Sequence, residues 1–319
     1  MHRILIVDGL NQFFRSYVIN PTLTPNGNPV GGVVGFLNIL QKLCKEVKPD
    51  LTIVCWDGEG GSRKRKGMND NYKDGRKPMR LNRDVRNLTE NQELENKIWQ
   101  QTRLIEYMNQ LPIVQLMYPE IEADDLVSYV CKFPLFSESQ KVIVSSDKDF
   151  IQLIEPKTIL YRPIQEQLLN IKKVLEEYSI HPNNFALARS ISGDTSDNLA
   201  GVKGIGLATL AKRFPFLSEE SFHTIDDVIN FSKTNKGSVK AYDAVLESVQ
   251  VIRDNYKIMQ LHSPQISIQT KMHIENMFDN FEVQMNLLEF KKMMVQDGFG
   301  TSNYTILFDI MKNTRKSLG

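Results

Sequence analysis

The sequence predicts an α/β protein, a doubly wound and mostly parallel sheet followed by a helical region. Three observations carry this. Short apolar runs rich in β-branched residues, at 3–8 (RILIVD), 51–57 (LTIVCWD) and 141–147 (KVIVSSD), read as strands buried on both faces. Helix-period segments lie between them, the alternation that builds parallel sheets. From about residue 181 strand patterns give way to helical connections.

Taken in order, the first strand closes at Asp8-Gly9 and a helix follows over about 11–18. The Gly- and Pro-rich turn TPNGNPVGG leads into a second helix at 33–47, then the strand at 51–57. A basic stretch precedes a long amphipathic helix over about 91–111, with Leu94, Ile98, Leu104, Ile105 and Met108 on or near one face. PIVQLMYP at 112–119 reads as a strand and runs into the helix EADDLVSYVCKF. KVIVSSD is the fourth strand, DFIQLI a helical turn and TILYRP a short fifth strand. Beyond these, NNFALARSISG, GLATLAKRF and several amphipathic segments read as helices. The expected division is 1–180 and 181–319, with no repeat or low-complexity linker to sharpen it.

Composition bounds the class. The chain has 319 residues, 24% charged and 41% apolar, and no apolar run near the roughly 20 residues that span a bilayer. Met-His-Arg running straight into a strand leaves no room for a secretory signal. Cys44, Cys55 and Cys131 are odd in number and widely spaced, with no histidine at ligand spacing, which argues against zinc and disulfides and for a reducing cytoplasm. Net charge is +1, but residues 62–86 hold ten Lys or Arg against three Asp. A segment this basic beside acidic clusters suits a polyanion held over metal ions, although a charge run alone is usually a solvated loop.

Nine carboxylates fall in five clusters: Asp8; Asp57; Glu122, Asp124 and Asp125; Asp147 and Asp149; Asp194 and Asp197. Each cluster has an ordinary explanation, because acids favour helix N-termini and Asp-Gly favours turns. Most of them, however, end a strand or open a helix at the carboxyl edge of the predicted sheet, where ligands bind in such folds. Glu122 and Asp125 share a helix face, Asp147 and Asp149 share a face if strand geometry persists, and Asp194 and Asp197 are three apart. Converging like charges resist joint ionisation unless cations neutralise them. An oxygen-only donor set selects Mg²⁺ or Mn²⁺, and paired hard cations suit phosphodiester cleavage.

Two further motifs fit a nucleic acid. Gly201, Gly204 and Gly206 form a tight glycine loop between helical segments, where backbone N–H groups can approach phosphates, with Lys203 and Lys212 in reach. In NYKDGRK, Lys73 and Arg76 would point the same way on a helix and could stabilise charge developing on a phosphate, with Tyr72 able to stack on a base.

With these segments in family order over about residues 3–215 (ILIVDGLNQFFRSY, VGGVVGFLNIL, TIVCWDG, SRK, NYKDGR, IEADD, SSDKDFIQL and GDTSDNLAGVKGIG), the chain resembles the flap endonuclease-like 5′ nucleases. These include the 5′-nuclease domain of bacterial DNA polymerase I and the phage enzymes called 5′–3′ exonuclease or ribonuclease H. The resemblance implies a PIN-like fold and two divalent metals, Mg²⁺ or Mn²⁺, held directly or through water by the nine carboxylates. It implies a helical arch over about 62–110, with Lys73 and Arg76 as its catalytic basic pair and Arg63 among the nucleic-acid contacts. The loop at 201–206 corresponds to the family's duplex-binding helix-hairpin, which often carries K⁺. The implied substrates are duplex DNA and RNA·DNA with a 5′ end or flap, in removal of RNA primers. The implied protein partners are a single-strand binding protein or sliding clamp. A monomer in the cytoplasm, or in a host's cytoplasm for a phage protein, is expected. Ala200 departs from the Pro common in polymerase-linked members, and the stretch 81–95 is longer than theirs. An RNA-acting PIN-type nuclease and an inactive structure-specific binding protein are the alternatives.

Overall fold

The computed structural model describes residues 2–75, 79–85, 88–299 and 302–314. Five parallel strands, β1 (Arg3–Asp8), β2 (Leu51–Cys55), β3 (Ile113–Leu116), β4 (Gln140–Val144) and β5 (Thr158–Arg162), form one sheet with β6 (Gln167–Leu169). The order is β3-β2-β1-β4-β5-β6, and β6 is antiparallel to β5. The antiparallel edge was not expected. Its three residues are too few to show a period, and it pairs through a tight turn in which Glu166 takes a left-handed φ of 48°.

The strand order reverses at β1, which has β2 on one side and β4 on the other. Register then sets the carboxyl edge: Asp8 lies opposite Cys55, and Val7 opposite Val144. Asp57 and Asp147 therefore emerge close beyond the end of β1. A crevice at such a reversal is where doubly wound sheets hold ligands.

Alternating side chains pack the two faces. Leu5 and Val7 face α1 (Gly9–Ile19), α2 (Gly31–Val47) and α4 (Glu90–Met108), whereas Ile4 and Ile6 face α5 (Ala123–Cys131) and α7 (Phe185–Ser192). Between β2 and α4 lies a short basic helix, α3 (Arg63–Met68), and between β6 and α7 lies α6 (Ile171–Tyr178).

The expected apolar stripe on α4 is only half used. Leu104 and Met108 are buried, but Leu94 and Ile98 are 48% and 53% exposed. Ahead of Leu104 the helix docks instead through Gln100, whose side chain accepts from the Gly32 N–H at 2.8 Å and donates to the Pro29 carbonyl at 3.0 Å.

Beyond residue 180 come α8 (Leu207–Arg213), α9 (Ile225–Thr234), α10 (Lys240–Glu247), α11 (Val249–Met259) and α12 (Ile268–Asp279). They are followed by α13 (Leu287–Gln296) and α14 (Thr305–Met311). The expected division near 180 is not marked by a break in apolar packing. Ile191, Val202, Phe214, Ile252 and Phe278 join the core of Ile4, Ile53 and Ile143, while Phe290, Leu307 and Phe308 return to the other face against Phe36 and Tyr107.

Candidate metal centre

A cavity of about 1050 Å³ opens at the β1/β4 reversal, and Asp8, Asp57, Asp124, Asp147, Asp194 and Asp197 all line it. Local structure fixes each one. Asp8 caps α1, accepting from the Asn11 N–H at 3.2 Å and from the Ser145 hydroxyl at 2.8 Å. Asp57 accepts from the Ala123 N–H at 2.7 Å, which ties the end of β2 to the start of α5. Asp147 caps the helical turn at 148–153 by accepting from the Asp149 N–H at 2.8 Å. Asp194 lies in an antiparallel ribbon of β7 (Gly193–Asp194) and β8 (Leu199–Ala200), and Asp197 lies in its turn. The ribbon and its turn, not a helix face, thus carry the pair spaced three apart.

Electrostatics marks the cluster as short of positive charge. Burial, then the neighbouring Asp57, pushes Asp8 up to about 7. Burial and Asp147 push Asp149 up to about 7 against the opposing pull of Arg189. Burial, Asp147 and Glu122 hold Asp124 well above the ordinary carboxylate range, and burial also raises Asp57. Burial would raise Asp194 too, but bonds from Ser196 (2.7 and 2.6 Å) and Arg189 outweigh it and hold it low. Oxygens of Asp149, Asp194 and Asp197 come within 4.8 Å of one another. With no His or Cys among the lining residues, the donor set fits hard divalent cations.

Two of the expected carboxylates, Glu122 and Asp125, face elsewhere. Glu122 and Asp125 do share a face, but that face meets the buried Arg65. Its guanidinium contacts Glu122, lies 3.0 Å from Asp125 and donates to the Ile258 carbonyl at 3.0 Å. Glu122 also receives Lys73 at 2.5 Å and the Tyr72 hydroxyl at 3.3 Å. Burial opposes ionisation of Glu122, but Arg65 and Lys73 outweigh it and keep its pKa low. Asp125 further accepts from the Gln265 N–H at 2.9 Å, so it holds the fold together rather than lining the cavity.

Tyr72 is a correction as well. Its ring is 2% exposed and packs with Leu199, Ile258 and Met259, so no ring face is open to a base. Lys73 lines the cavity from a turn with φ 56°, not from a helix. Arg76 lies outside the described residues, and Arg63 is exposed and paired with Glu120 at 2.5 Å.

In the glycine loop, Gly201 permits a close approach. A Cβ there would sit 2.2 Å from the Ser192 carbonyl, and the Val202 N–H donates to the Ile191 carbonyl at 2.8 Å. Gly204 takes φ 78° with open space around it, and Gly206 opens α8. Lys203 is exposed in the loop and Lys212 is exposed on α8.

Sequence reasoning missed Arg189 and Arg65. Arg189 on α7 reaches Asp149 at 3.0 Å and Asp194, and donates to the Gly193 carbonyl at 3.2 Å. Its position five residues before Asp194 was the available signal. Arg65 was counted only as part of a charge run.

Comparisons place this geometry among known proteins. Residues 3–179 match the family described as 5′-3′ exonuclease, N-terminal resolvase-like domain. The chain is 28% identical to a flap endonuclease Xni of Shewanella sp. (strain MR-4) over 264 residues, 82% of this chain and 91% of the relative. It is 28% identical to DNA polymerase I of Caldicellulosiruptor bescii over 235 residues, 71% of this chain and 26% of the polymerase. The chain thus spans only about a quarter of that relative. The fold is shared with the T5 5′-exonuclease described with bound zinc, at TM-score 0.65 and 18% identity across 100% of both chains.

Proposed function

The chain belongs to the 5′-3′ exonuclease family through its N-terminal resolvase-like domain, and from that premise we propose that it is a divalent-metal-dependent 5′ nuclease cutting DNA and RNA·DNA at a 5′ end or flap. The observation that carries this is the gathering of six aspartates around one cavity, several held above their ordinary pKa by burial and by one another.

Asp8, Asp57, Asp124 and Asp147 suit one Mg²⁺ or Mn²⁺, and Asp149, Asp194 and Asp197 a second. Bound there, such cations supply Lewis acidity toward the phosphate and the attacking water. The chain supplies the rest. Ser145, Asn11 and the Ala123 N–H keep the carboxylates and the β4 loop in place. Phe14, Val18, Ile19, Met79 and Ile164 form an apolar wall that limits water around the substrate strand. Lys73, poised between Glu122 and the cavity, offers its ammonium to non-bridging oxygens. The loop at 201–206 takes duplex backbone without reading bases, with K⁺ as its ion. Primer removal is the matching task.

The deciding assay uses 5′- and 3′-labelled flap, nicked and RNA·DNA substrates beside single-stranded RNA. Cleavage measured from the 5′ end, lost in EDTA and restored by Mg²⁺, is expected. Cleavage confined to single-stranded RNA, or product indifferent to metal, overturns the proposal.

A further inference from the structure

Phosphodiester backbone entering this cavity meets six aspartates, so phosphates beyond the one under attack need cations of their own. Among the described residues four cations line the cavity: Arg15, Lys73, Lys148 and Arg189. Two of these are committed. Lys73 is 2.5 Å from Glu122, and Arg189 bridges Asp149 and Asp194. Lys73, anchored on Glu122, is already assigned to the scissile phosphate, and moving Arg189 onto a flanking one would strip Asp149 and Asp194 of their partner. Arg15 and Lys148 carry no such commitment. Arg15 is half-buried on α1 with no ion pair or hydrogen bond to another described residue. The exposed Lys148 ammonium lies 6.0 Å over the Tyr178 ring, a contact that leaves its three donors open.

Their placement is specific. Arg15 stands seven residues after Asp8, two turns along α1, so it shares the face that carries Asp8 and Asn11 into the cavity. Along the helix axis it is about 10 Å from Asp8. Lys148 follows β4, between Asp147 and Asp149. Because β1 and β4 are neighbours at the strand-order reversal, the two cations flank the crevice that holds the acids.

We infer that Arg15 and Lys148 bind the phosphates on either side of the scissile one. This rests on the nuclease reading above and assigns its substrate contacts. Arg15, with a planar fork and a fixed charge, takes its phosphate in bidentate fashion, and Lys148 acts as a point charge. Both are binding residues that hold the strand in register and leave the scissile phosphate to the carboxylate-bound cations.

The test measures equilibrium binding of 5′-flap DNA with Ca²⁺ replacing Mg²⁺, and single-turnover cleavage with Mg²⁺, for wild type, Arg15→Ala, Arg15→Lys and Lys148→Ala. Each is assayed on substrates carrying one neutral methylphosphonate linkage, scanned across the cut site. Each alanine variant is expected to weaken binding about ten-fold and to lower the salt slope by about one. Arg15→Lys recovers part of the affinity. The Arg15→Ala penalty disappears when the linkage on one side of the cut is neutral, and the Lys148→Ala penalty when the other side is neutral. Wild-type affinity and slope in both alanine variants overturn the inference, as do penalties that persist on every neutral linkage. Those results leave the nuclease proposal standing if wild type still cleaves with Mg²⁺. A wild-type protein that neither binds nor cleaves removes both.

Discussion

Asp8 is the residue at which charge and fold meet. Its folded pKa of about 7 lies above the ordinary 3.8, so the folded protein binds a proton there that the unfolded chain has released. The stability tied to that proton is complete below pH 3.8 and lost as pH rises to about 7. Asp8→Asn removes the penalty, so at pH 8 the metal-free variant should melt at least about 3 °C above wild type, and at pH 4 no higher. Added Mn²⁺ should raise the wild-type Tm at pH 8 by more than it raises that of the variant, which keeps the ligands of the second cation. Differential scanning calorimetry in EDTA and in Mn²⁺ checks both signs. Arg65 behaves oppositely. Its loss in Arg65→Ala leaves Glu122 and Asp125 without their shared cation and should cost about 3–5 kcal/mol in urea melts. The carboxylates were legible because their types and positions at strand ends and helix starts carry the signal. Which acids face the cavity was not legible, because Glu122 and Asp125 are held by Arg65, and Glu122 also by Lys73, partners more than 45 positions off in sequence.

Among elements, the strands were the most legible, since β1, β2 and β4 are apolar-rich runs buried on both faces, with an aspartate at or within three positions of each strand's end. Helix α4 was legible in extent, apart from its last turn, and not in contact, because Gln100 docks it through hydrogen bonds that no apolar period reveals. The β7/β8 ribbon escaped because two-residue strands carry no period at all. Its pairing sets Gly193 against Ala200 and brings Gly201 onto the Ser192 carbonyl. Gly201→Ala should therefore push the hairpin off α7, lowering stability by about 1–3 kcal/mol. Duplex affinity should fall more than single-strand affinity in fluorescence anisotropy titrations. Equal losses on both substrates would detach the loop from duplex binding.

At the scale of the whole molecule, the chain after residue 180 supplies side chains to the cores on both faces of the sheet. Composition and period gave no sign of this, because a helix packed on its own neighbours and one packed on a distant sheet read alike. Phe185 and Phe308 are both buried, one in each core. Replacing either by Ala should cost about 3–5 kcal/mol and shift one common melting transition, with catalytic and C-terminal probes moving together. Two separated transitions would mean the halves fold apart. Helix α11 makes the union concrete. Near its middle, the Asn255 amide holds the Ser190 and Ala200 carbonyls at 3.0 and 2.9 Å, and one turn on, the Ile258 carbonyl takes the guanidinium of Arg65. A single rod thus grips the glycine loop with one hand and the base of the cationic segment with the other. If the loop takes a duplex as proposed, any tug on it would be passed, through three residues of stiff backbone, to Arg65 and to the Glu122 that Arg65 shares with Lys73.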